Sequence, residues 1–445
     1  MRRVVYLRSL ALGWVAVFVA TTATAQPVER AEHEKVVREL EELRRDLDAL
    51  RERAAGESMP SEEKDGGPMR GRGVGRQTGG IFDKPFLRRT SPQVYVGGYF
   101  DVEYRNPRNQ KHDFRFHRFI PFFYADLHER VKFASEVEFE DGSEVEIEFA
   151  FVDLLIAEAA NFRAGVILDP LGKFNLIHDS PINDLTDRPL LNQFVIPTTL
   201  REVGAGLFGT LTPQDSVWEV TYEAYLTSGF KGLADDGTAT FSSTSGLRNG
   251  RASKDVLGTK HFGDNNNAFA GVGRLVVSPA LGSEVGVSAY QGTYDEASHN
   301  DLTIAAIDAL YTVPQFELAD IPVGPVEFQG EAAHAFVERD SLARTSGVPS
   351  DIWGYYAQMN YHFMPQVLTE QLGAIFLPGS VLTFVTRFGA VDLDGSRRRR
   401  LTLGLNFRPI ESTAFKLDYQ FNRATGAAPR TAEDDAFLAS ITSYF

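Results

Sequence analysis

The chain has 445 residues and a net charge of −15, with 43% hydrophobic and 24% charged residues. These averages exclude a protein built from many membrane-spanning helices. They fit a β-barrel with a polar lumen, because only alternate residues of its strands face lipid. The acidic balance argues against nucleic acid as a partner. The absence of cysteine excludes disulfides, thiolate metal sites and cysteine nucleophiles.

Residues 1–25 have the pattern of a secretory signal peptide. A positively charged start precedes an apolar core over residues 10–20, which is shorter than the roughly 20 residues of a spanning helix. Ala23 and Ala25 then form an A-x-A cleavage site. We therefore predict that the mature chain is exported, and a single membrane anchor is the alternative.

Residues 26–55 are predicted to form a coiled-coil helix, because apolar residues recur there at alternating spacings of four and three. The seam covers fewer than three heptads, so we expect it to self-associate. Packing of one amphipathic helix on the rest of the chain is the alternative. The repeating apolar positions of the coiled coil are Val36, Leu40, Leu43, Leu47, Leu50 and Ala54.

Residues 56–92 are rich in glycine and in charges of both signs, which predicts a flexible linker.

Residues 93–445 alternate between apolar and polar side chains. The segments "LTLGLNF" and "FKLDYQFN" show the pattern clearly. In "VEIEFAF", the same reading places Phe149 and Phe151 on one face with Val145 and Ile147. Such alternation puts one face in an apolar medium and the other in water. We predict an all-β fold, a transmembrane antiparallel β-barrel of about 16 strands, with 18 strands left open.

The connections between these segments differ on the two sides of the predicted barrel. Every second connection is short, apart from two longer ones near 314–325 and 365–380, whereas the others are mostly long and polar. This asymmetry is typical of bacterial outer-membrane barrels. The chain also ends in "FLASITSYF", which resembles their terminal insertion signal. We predict an outer-membrane location with the coiled coil in the periplasm; a secreted β-sandwich or propeller is the alternative.

The third predicted outward connection, residues 168–202, does not alternate. It contains prolines and charges of both signs, and we expect it to fold into the lumen as a constriction, as the third loop of general porins does. The expected constriction residues are Lys173, His178, Asp179, Asp184, Asp187, Arg188 and Arg201. The expected lumen-lining residues are Arg105, Lys132, Glu136, Glu138, Glu146, Glu148, Arg163, Arg274, Arg387 and Arg408.

From about residue 94 the chain resembles the phosphate-selective porin O/P family. The resemblance rests on "VGGYFDVEY", on "EVEFEDGSEVEIEFAFVDLLI", and on "FRAGVILDPLGKFNLIHDSPINDLTDRPLL" leading into "LREVGAGLFG". It implies a homotrimeric channel whose selectivity is set by lumen charges. The family's phosphate channels have an arginine ladder and a lysine-rich narrow zone, whereas this loop is rich in acids. A general or weakly cation-preferring pore and carbohydrate uptake therefore stay open beside phosphate or other anions.

No pattern in the sequence predicts an enzyme, a cofactor or a metal site. The histidines show no paired spacing on a helix, and the adjacent His178, Asp179 and Ser180 cannot form a catalytic relay. We predict a porin for passive diffusion of small hydrophilic solutes or ions. A lipid hydrolase, or a tether that contacts the cell wall through the coiled coil, is the alternative. The expected surroundings are outer-membrane lipid and lipopolysaccharide. The arginine run 397–400 would bind lipopolysaccharide or line the pore mouth, and a solvated loop without a partner is the alternative.

Overall fold

The computed structural model describes residues 93–212, 218–251, 262–318 and 321–445. The predicted signal peptide, coiled coil and linker, at 1–25, 26–55 and 56–92, lie outside the described residues. Within the described part of the chain, no helix is both long enough and apolar enough to cross a membrane.

Sixteen antiparallel strands form one closed barrel, in which neighbours along the chain pair with each other and the first strand pairs with the last. The predicted all-β barrel of sixteen strands is confirmed. Two further short strands form a separate small hairpin within one of the connections. A closed barrel leaves no unpaired sheet edge, so every strand has a partner on both sides.

The barrel strands are β1 (Gln93–Pro107), β2 (Asp113–His128), β3 (Val131–Glu140), β4 (Glu144–Ala157), β5 (Ala160–Leu168), β6 (Arg201–Thr210), β7 (Glu219–Thr227), β8 (Ala270–Ala280), β9 (Ser283–Thr293), β10 (Asp301–Val313), β13 (Val326–Val337), β14 (Asp351–Phe363), β15 (Val381–Asp392), β16 (Ser396–Ile410), β17 (Thr413–Gly426) and β18 (Ala436–Tyr444). The small hairpin consists of β11 (Phe316–Leu318) and β12 (Ile321–Val323). The short helices are α1 (Lys173–Leu176), α2 (Leu190–Phe194), α3 (Ser341–Thr345) and α4 (Gln366–Gln371).

The two ends of the barrel differ as predicted. One end carries tight turns such as 129–130, 281–282 and 411–412, the two longer connections with β11–β12 and α4, and the C-terminal residue. We call it the turn end. The other carries the long connection 169–200 and the described segments 228–251 and 262–269, and we call it the loop end.

Alternation along the strands puts apolar side chains outside and polar ones inside. In β17 the outward residues Phe415, Leu417, Tyr419 and Phe421 are exposed, and the inward residues Lys416, Asp418, Gln420 and Asn422 are buried. The outer surface therefore consists of large apolar side chains, which is the reverse of a water-soluble protein.

A β-bulge at Glu148 reverses this alternation within β4. Glu136 of β3 pairs with Phe149, but the next residue of β3 pairs with Ile147, so that Glu148 has no partner of its own. Phe149 is consequently buried inside the barrel, and Phe151 lies beside it with ring centroids 5.3 Å apart. The sequence prediction that both phenylalanines face outward with Ile147 is wrong, because one extra residue shifts the phase of every position after it.

Part of the barrel interior is a packed apolar core. The connections 169–200 and 228–250 both turn inward and pack against strands β5, β7–β10 and β13–β15, an arrangement that the sequence analysis did not anticipate for the second of them. Members of the core include Leu171, Leu191, Phe194, Leu200, Phe230, Leu233, Phe241, Leu247, Tyr225, Tyr290, Ile304 and Ile352. The polar part of the interior is therefore displaced toward the strands near the two chain ends.

The turn between β3 and β4 requires a glycine. Gly142 has φ 71°, a left-handed conformation that costs a residue with a side chain about 1–2 kcal/mol. We expect Gly142→Ala to lower the free energy of unfolding in lipid vesicles by about that amount. Gly271→Ala is the control, because its added Cβ meets no atom within 4 Å. Equal stability of the two variants would contradict this account.

Candidate functional site

The connection 169–200, which we call the inner loop, is closed at its neck by one buried asparagine. The Asn175 side chain donates to the carbonyl oxygens of Asp169 and Leu200, each at 2.8 Å. It also accepts from the Leu200 backbone N–H at 2.8 Å. One side chain thus holds the two ends of the loop together, and its full burial makes these hydrogen bonds costly to lose.

Asp187 joins the inner loop to strands near the contact between the first and last barrel strands. Its carboxylate accepts from Arg105 Nη2 at 2.8 Å, from Arg400 Nη1 at 3.1 Å and from Gln420 Nε2 at 2.9 Å. Its backbone carbonyl accepts from Arg387 at 2.5 Å. Burial alone would raise the pKa of Asp187, but the two guanidinium groups outweigh it and hold that pKa well below its usual range.

Asp184 makes a second attachment, nearer the turn end. It accepts from Asn360 and Asn406 at 2.9 Å each and from Arg408 Nη2 at 3.2 Å. Asp179 makes a third, because it accepts from the Tyr444 hydroxyl at 2.8 Å. Asp179, Asp184 and Asp187, the three acids expected at the constriction, are therefore bonded to the barrel wall.

The other expected constriction residues are also partnered. Lys173 pairs with Glu284 at 3.1 Å, and His178 Nε2 lies 3.4 Å from Glu148. Arg201 pairs with Glu146. Arg188 differs, since its guanidinium donates to the Thr198 carbonyl and has no carboxylate within ion-pair distance among the described residues.

All ten expected lumen-lining residues lie on the inward side of their strands. Most of their charges are compensated there, which the sequence did not show. The ion pairs that these residues form are Arg105–Glu103, Lys132–Asp126, Arg118–Glu138, Glu146–Arg201, Glu148–His178, Arg163–Asp153, Arg274–Asp308 and Arg408–Asp184. Glu136 is buried beside Glu138 and Glu148, and Arg387 bonds to the Asp187 carbonyl.

Two cavities lie on opposite sides of the inner loop. The loop-end cavity has a volume of about 430 Å³ and is bordered by loop residues from His178 to Arg188. The turn-end cavity has a volume of about 650 Å³ and is bordered by loop residues from Lys173 to Asp184. Phe174 and Asn183 border both cavities, so the loop separates two spaces that adjoin along the barrel axis.

Arginines dominate the loop-end cavity. Its cationic lining consists of Arg105, Arg115, Arg118, Arg188, Arg248 and Arg400, and its acidic lining among the described residues consists of Glu140 and Asp187. Burial, and after it the positive charge of Arg118, lower the pKa of Arg188. Burial, and after it Arg201, lower the pKa of Arg251 to about 9. This end of the interior thus carries an excess of positive charge.

Four of these arginines were not among the residues expected from the sequence. Arg115 and Arg118 belong to β2, where a register shift next to Asp101 turns both His117 and Arg118 inward. Within the run 397–400 the side chains alternate: Arg398 and Arg400 are half-buried, whereas Arg397 and Arg399 are exposed. Applying strict alternation to this run would have predicted that the Arg400 side chain faces the barrel interior.

One group in the described part of the chain has the spacing of metal ligands. Asp101, Glu103 and His117 bring their ligand atoms within 4.8 Å of one another. His117 Nδ1 lies 3.1 Å from Asp101 and 2.9 Å from Glu103. However, Arg105 and Arg115 both contact Glu103, at 2.7 and 3.3 Å. Two fixed cations on one carboxylate oppose a further cation, so the donor set fits an ion-pair network better than a metal centre.

Comparison with known proteins adds three findings. No family model matches the chain. An uncharacterised protein of Aquifex aeolicus is 25% identical over 350 residues, covering 73% of this chain and 75% of that protein. An anion-selective porin from Comamonas acidovorans is 12% identical with a TM-score of 0.49, covering 80% of this chain and all of that one. OmpF of Salmonella typhi is 9% identical with a TM-score of 0.49, and the match covers 80% of this chain and 98% of that one.

The attachment at Asp187 predicts a defined pH dependence. Because its folded pKa is depressed, its stabilising contribution is full above the unfolded pKa of about 4 and declines as the pH falls further. We expect Asp187→Asn to lower the free energy of unfolding by roughly 2–3 kcal/mol at both pH 7 and pH 5, and by less at pH 3. Denaturant titrations in lipid vesicles at the three pH values measure this. A difference already lost between pH 7 and pH 5 would contradict the assignment.

Proposed function

We propose that this protein is an outer-membrane porin that lets small hydrophilic solutes diffuse passively across the membrane. One observation carries the proposal: a closed barrel, apolar on its outside, encloses two cavities that adjoin along its axis and are both bordered by charged side chains. Only helices and closed barrels satisfy all backbone hydrogen bonds within lipid, and charged groups inside such a barrel favour water and solutes there.

The proposed surroundings follow from the same surface. The outward belt contacts outer-membrane lipid, and the loop end faces lipopolysaccharide at the cell exterior. The turn end faces the periplasm, as do residues 26–92, whose predicted coiled coil would contact the cell wall. A homotrimer is proposed from the resemblance to the phosphate-selective porins, and chemical cross-linking in vesicles tests it.

The inner loop is proposed to be the constriction. Its residues from His178 to Arg188 lie between the two cavities, and Asp179, Asp184 and Asp187 bond to inward-facing residues of β1, β14, β16, β17 and β18. Attachment on so many strands would keep the loop across the path instead of letting it move as a lid.

Anions, phosphate among them, are the proposed preference. The acids that favoured a general or cation-preferring pore are bonded to the wall, so they add little free negative charge. Arg188 and Arg248 line the loop-end cavity without a carboxylate partner in the described ranges. Guanidinium groups bind phosphate and carboxylate oxygens in a two-pronged geometry.

Neither competing function gains support from a specific contact. Ser180 donates to Asp101 at 2.6 Å, and His178 contacts Glu148 instead of a serine. These residues therefore lack the serine–histidine pair of a hydrolase.

The tether hypothesis depends on residues 26–80. A chain without these residues should conduct ions as the full chain does if it is a porin, so loss of conductance on deletion would favour the tether or an assembly role.

The selectivity is tested in planar bilayers. We expect stepwise conductance and a reversal potential that indicates preference for chloride over potassium. Removing one unit charge near the ion path should lower the anion-to-cation permeability ratio about threefold. We expect this for Arg188→Gln and for Arg248→Gln.

The matched control is Arg423→Gln. Arg423 is largely exposed and pairs with Asp435 near the end of β17, outside the lining of both cavities. Its replacement should leave the permeability ratio unchanged. Absence of any conductance would rule out the channel, and cation preference in the wild type would rule out the proposed selectivity.

A further inference from the structure

The turn-end cavity differs in chemistry from the arginine-rich one. We infer that the channel serves small organic anions that carry an apolar or aromatic body, in addition to inorganic anions. This inference rests on the proposed channel function and names the solute class of that same path. It is carried by apolar side chains that the inner loop presents to the turn-end cavity.

Two isoleucines of the inner loop face this cavity without being covered. Ile177 is 41% exposed and Ile182 is 50% exposed, and both line the turn-end cavity. Other large apolar residues of the same loop, such as Leu171, Leu191 and Leu200, are fully buried in the core. Apolar surface exposed in a path for hydrated inorganic ions contributes nothing to their passage, but it favours a solute with an apolar part.

Two aromatic residues support this apolar surface from behind. The rings of Phe174 in the inner loop and Tyr356 in β14 meet edge to face, with centroids 6.4 Å apart. Both border the cavity together with Leu310 and Tyr444, and the Phe174 and Tyr356 side chains are buried. The contact offered to a solute therefore comes mainly from Ile177 and Ile182, and the paired rings keep that part of the loop in place.

A positive charge lies directly beside the apolar surface. Arg408 Nη2 donates to the Ile182 carbonyl at 3.1 Å and to Asp184 at 3.2 Å. Lys173 lines the same cavity. Both cations already have acidic partners, and Glu327 and Glu411 add negative charge. Charge alone therefore gives an anion little advantage at this end, and the apolar contact becomes the main attraction.

The dimensions agree with such a solute. A cavity of about 650 Å³ lies within the range of sites that bind small organic molecules, and a cavity of roughly 150 Å³ already accepts benzene. A solute would first be attracted by the loop-end arginines through its anionic group. It would then exchange part of that attraction for contact of its body with Ile177 and Ile182.

Block of chloride current tests the inference, with benzoate and acetate as probes. We expect benzoate to halve the current at a concentration at least tenfold lower than acetate does. In a variant that combines Ile177→Ser with Ile182→Ser, loss of roughly 40 Å² of apolar contact should raise the half-blocking benzoate concentration about fivefold. The acetate value should stay unchanged.

The control is Leu281→Ser. Leu281 is fully exposed in the turn between β8 and β9 and lies outside both cavity linings, so both blocking concentrations should stay as in the wild type. Equal block by benzoate and acetate in the wild-type channel overturns the inference and leaves the channel function intact. An unchanged benzoate value in the double variant, with chloride current preserved, also overturns it. A wild type that conducts no chloride overturns the channel function and this inference together.

Discussion

Pairing between the acids of the inner loop and the donors of the barrel wall is the interaction on which the interior depends. The carboxylate of Asp187 alone connects three strands through Arg105, Arg400 and Gln420. Buried carboxylates are costly unless several donors satisfy them. The loop therefore has one favourable placement, with its acids against the wall, and that placement divides the interior into two cavities.

The same pairing decides which charges stay without an opposite charge in the interior. Counting charges in the loop suggests a negative interior, because acids outnumber bases there. Once Asp184 and Asp187 are bonded to wall cations, the groups left beside the loop-end cavity include Arg188 and Arg248. The electrostatic character of the interior is thus set by what remains after pairing, and it changes from cationic at the loop end to mixed and partly apolar at the turn end.

The strands were predictable because alternation is a local property of the sequence. Counting the strands then shows at which end of the barrel each connection lies. This count placed residues 168–202 at the loop end as the third connection, where the structure has them. The bulge at Glu148 was not predictable in this way, since one unpaired residue leaves the apolar spacing of β4 looking regular. The inward course of residues 228–250 was missed as well. Its apolar residues are spread through a polar, glycine-rich segment without a period.

The pairs themselves were out of reach for a different reason. Asp187 and Arg400 are 213 positions apart, and they meet only because the closed barrel brings β16 within a few strands of β1 while the inner loop folds inward between them. No spacing rule connects them. The arginine run 397–400 was the nearest available signal, because alternation within β16 assigns Arg398 and Arg400 to the interior.

The off-centre position of the polar interior has a consequence for assembly. The apolar core is formed by strands β5, β7–β10 and β13–β15 and by the two inward connections, which together make one uninterrupted part of the chain. The arginine-rich cavity instead combines side chains of β1, β2 and β16, which come near one another only when β1 pairs with β18. A barrel in which β1 and β18 are still apart could already have its core but would have no cationic cavity. Pairing of the first and last barrel strands would therefore complete that cavity.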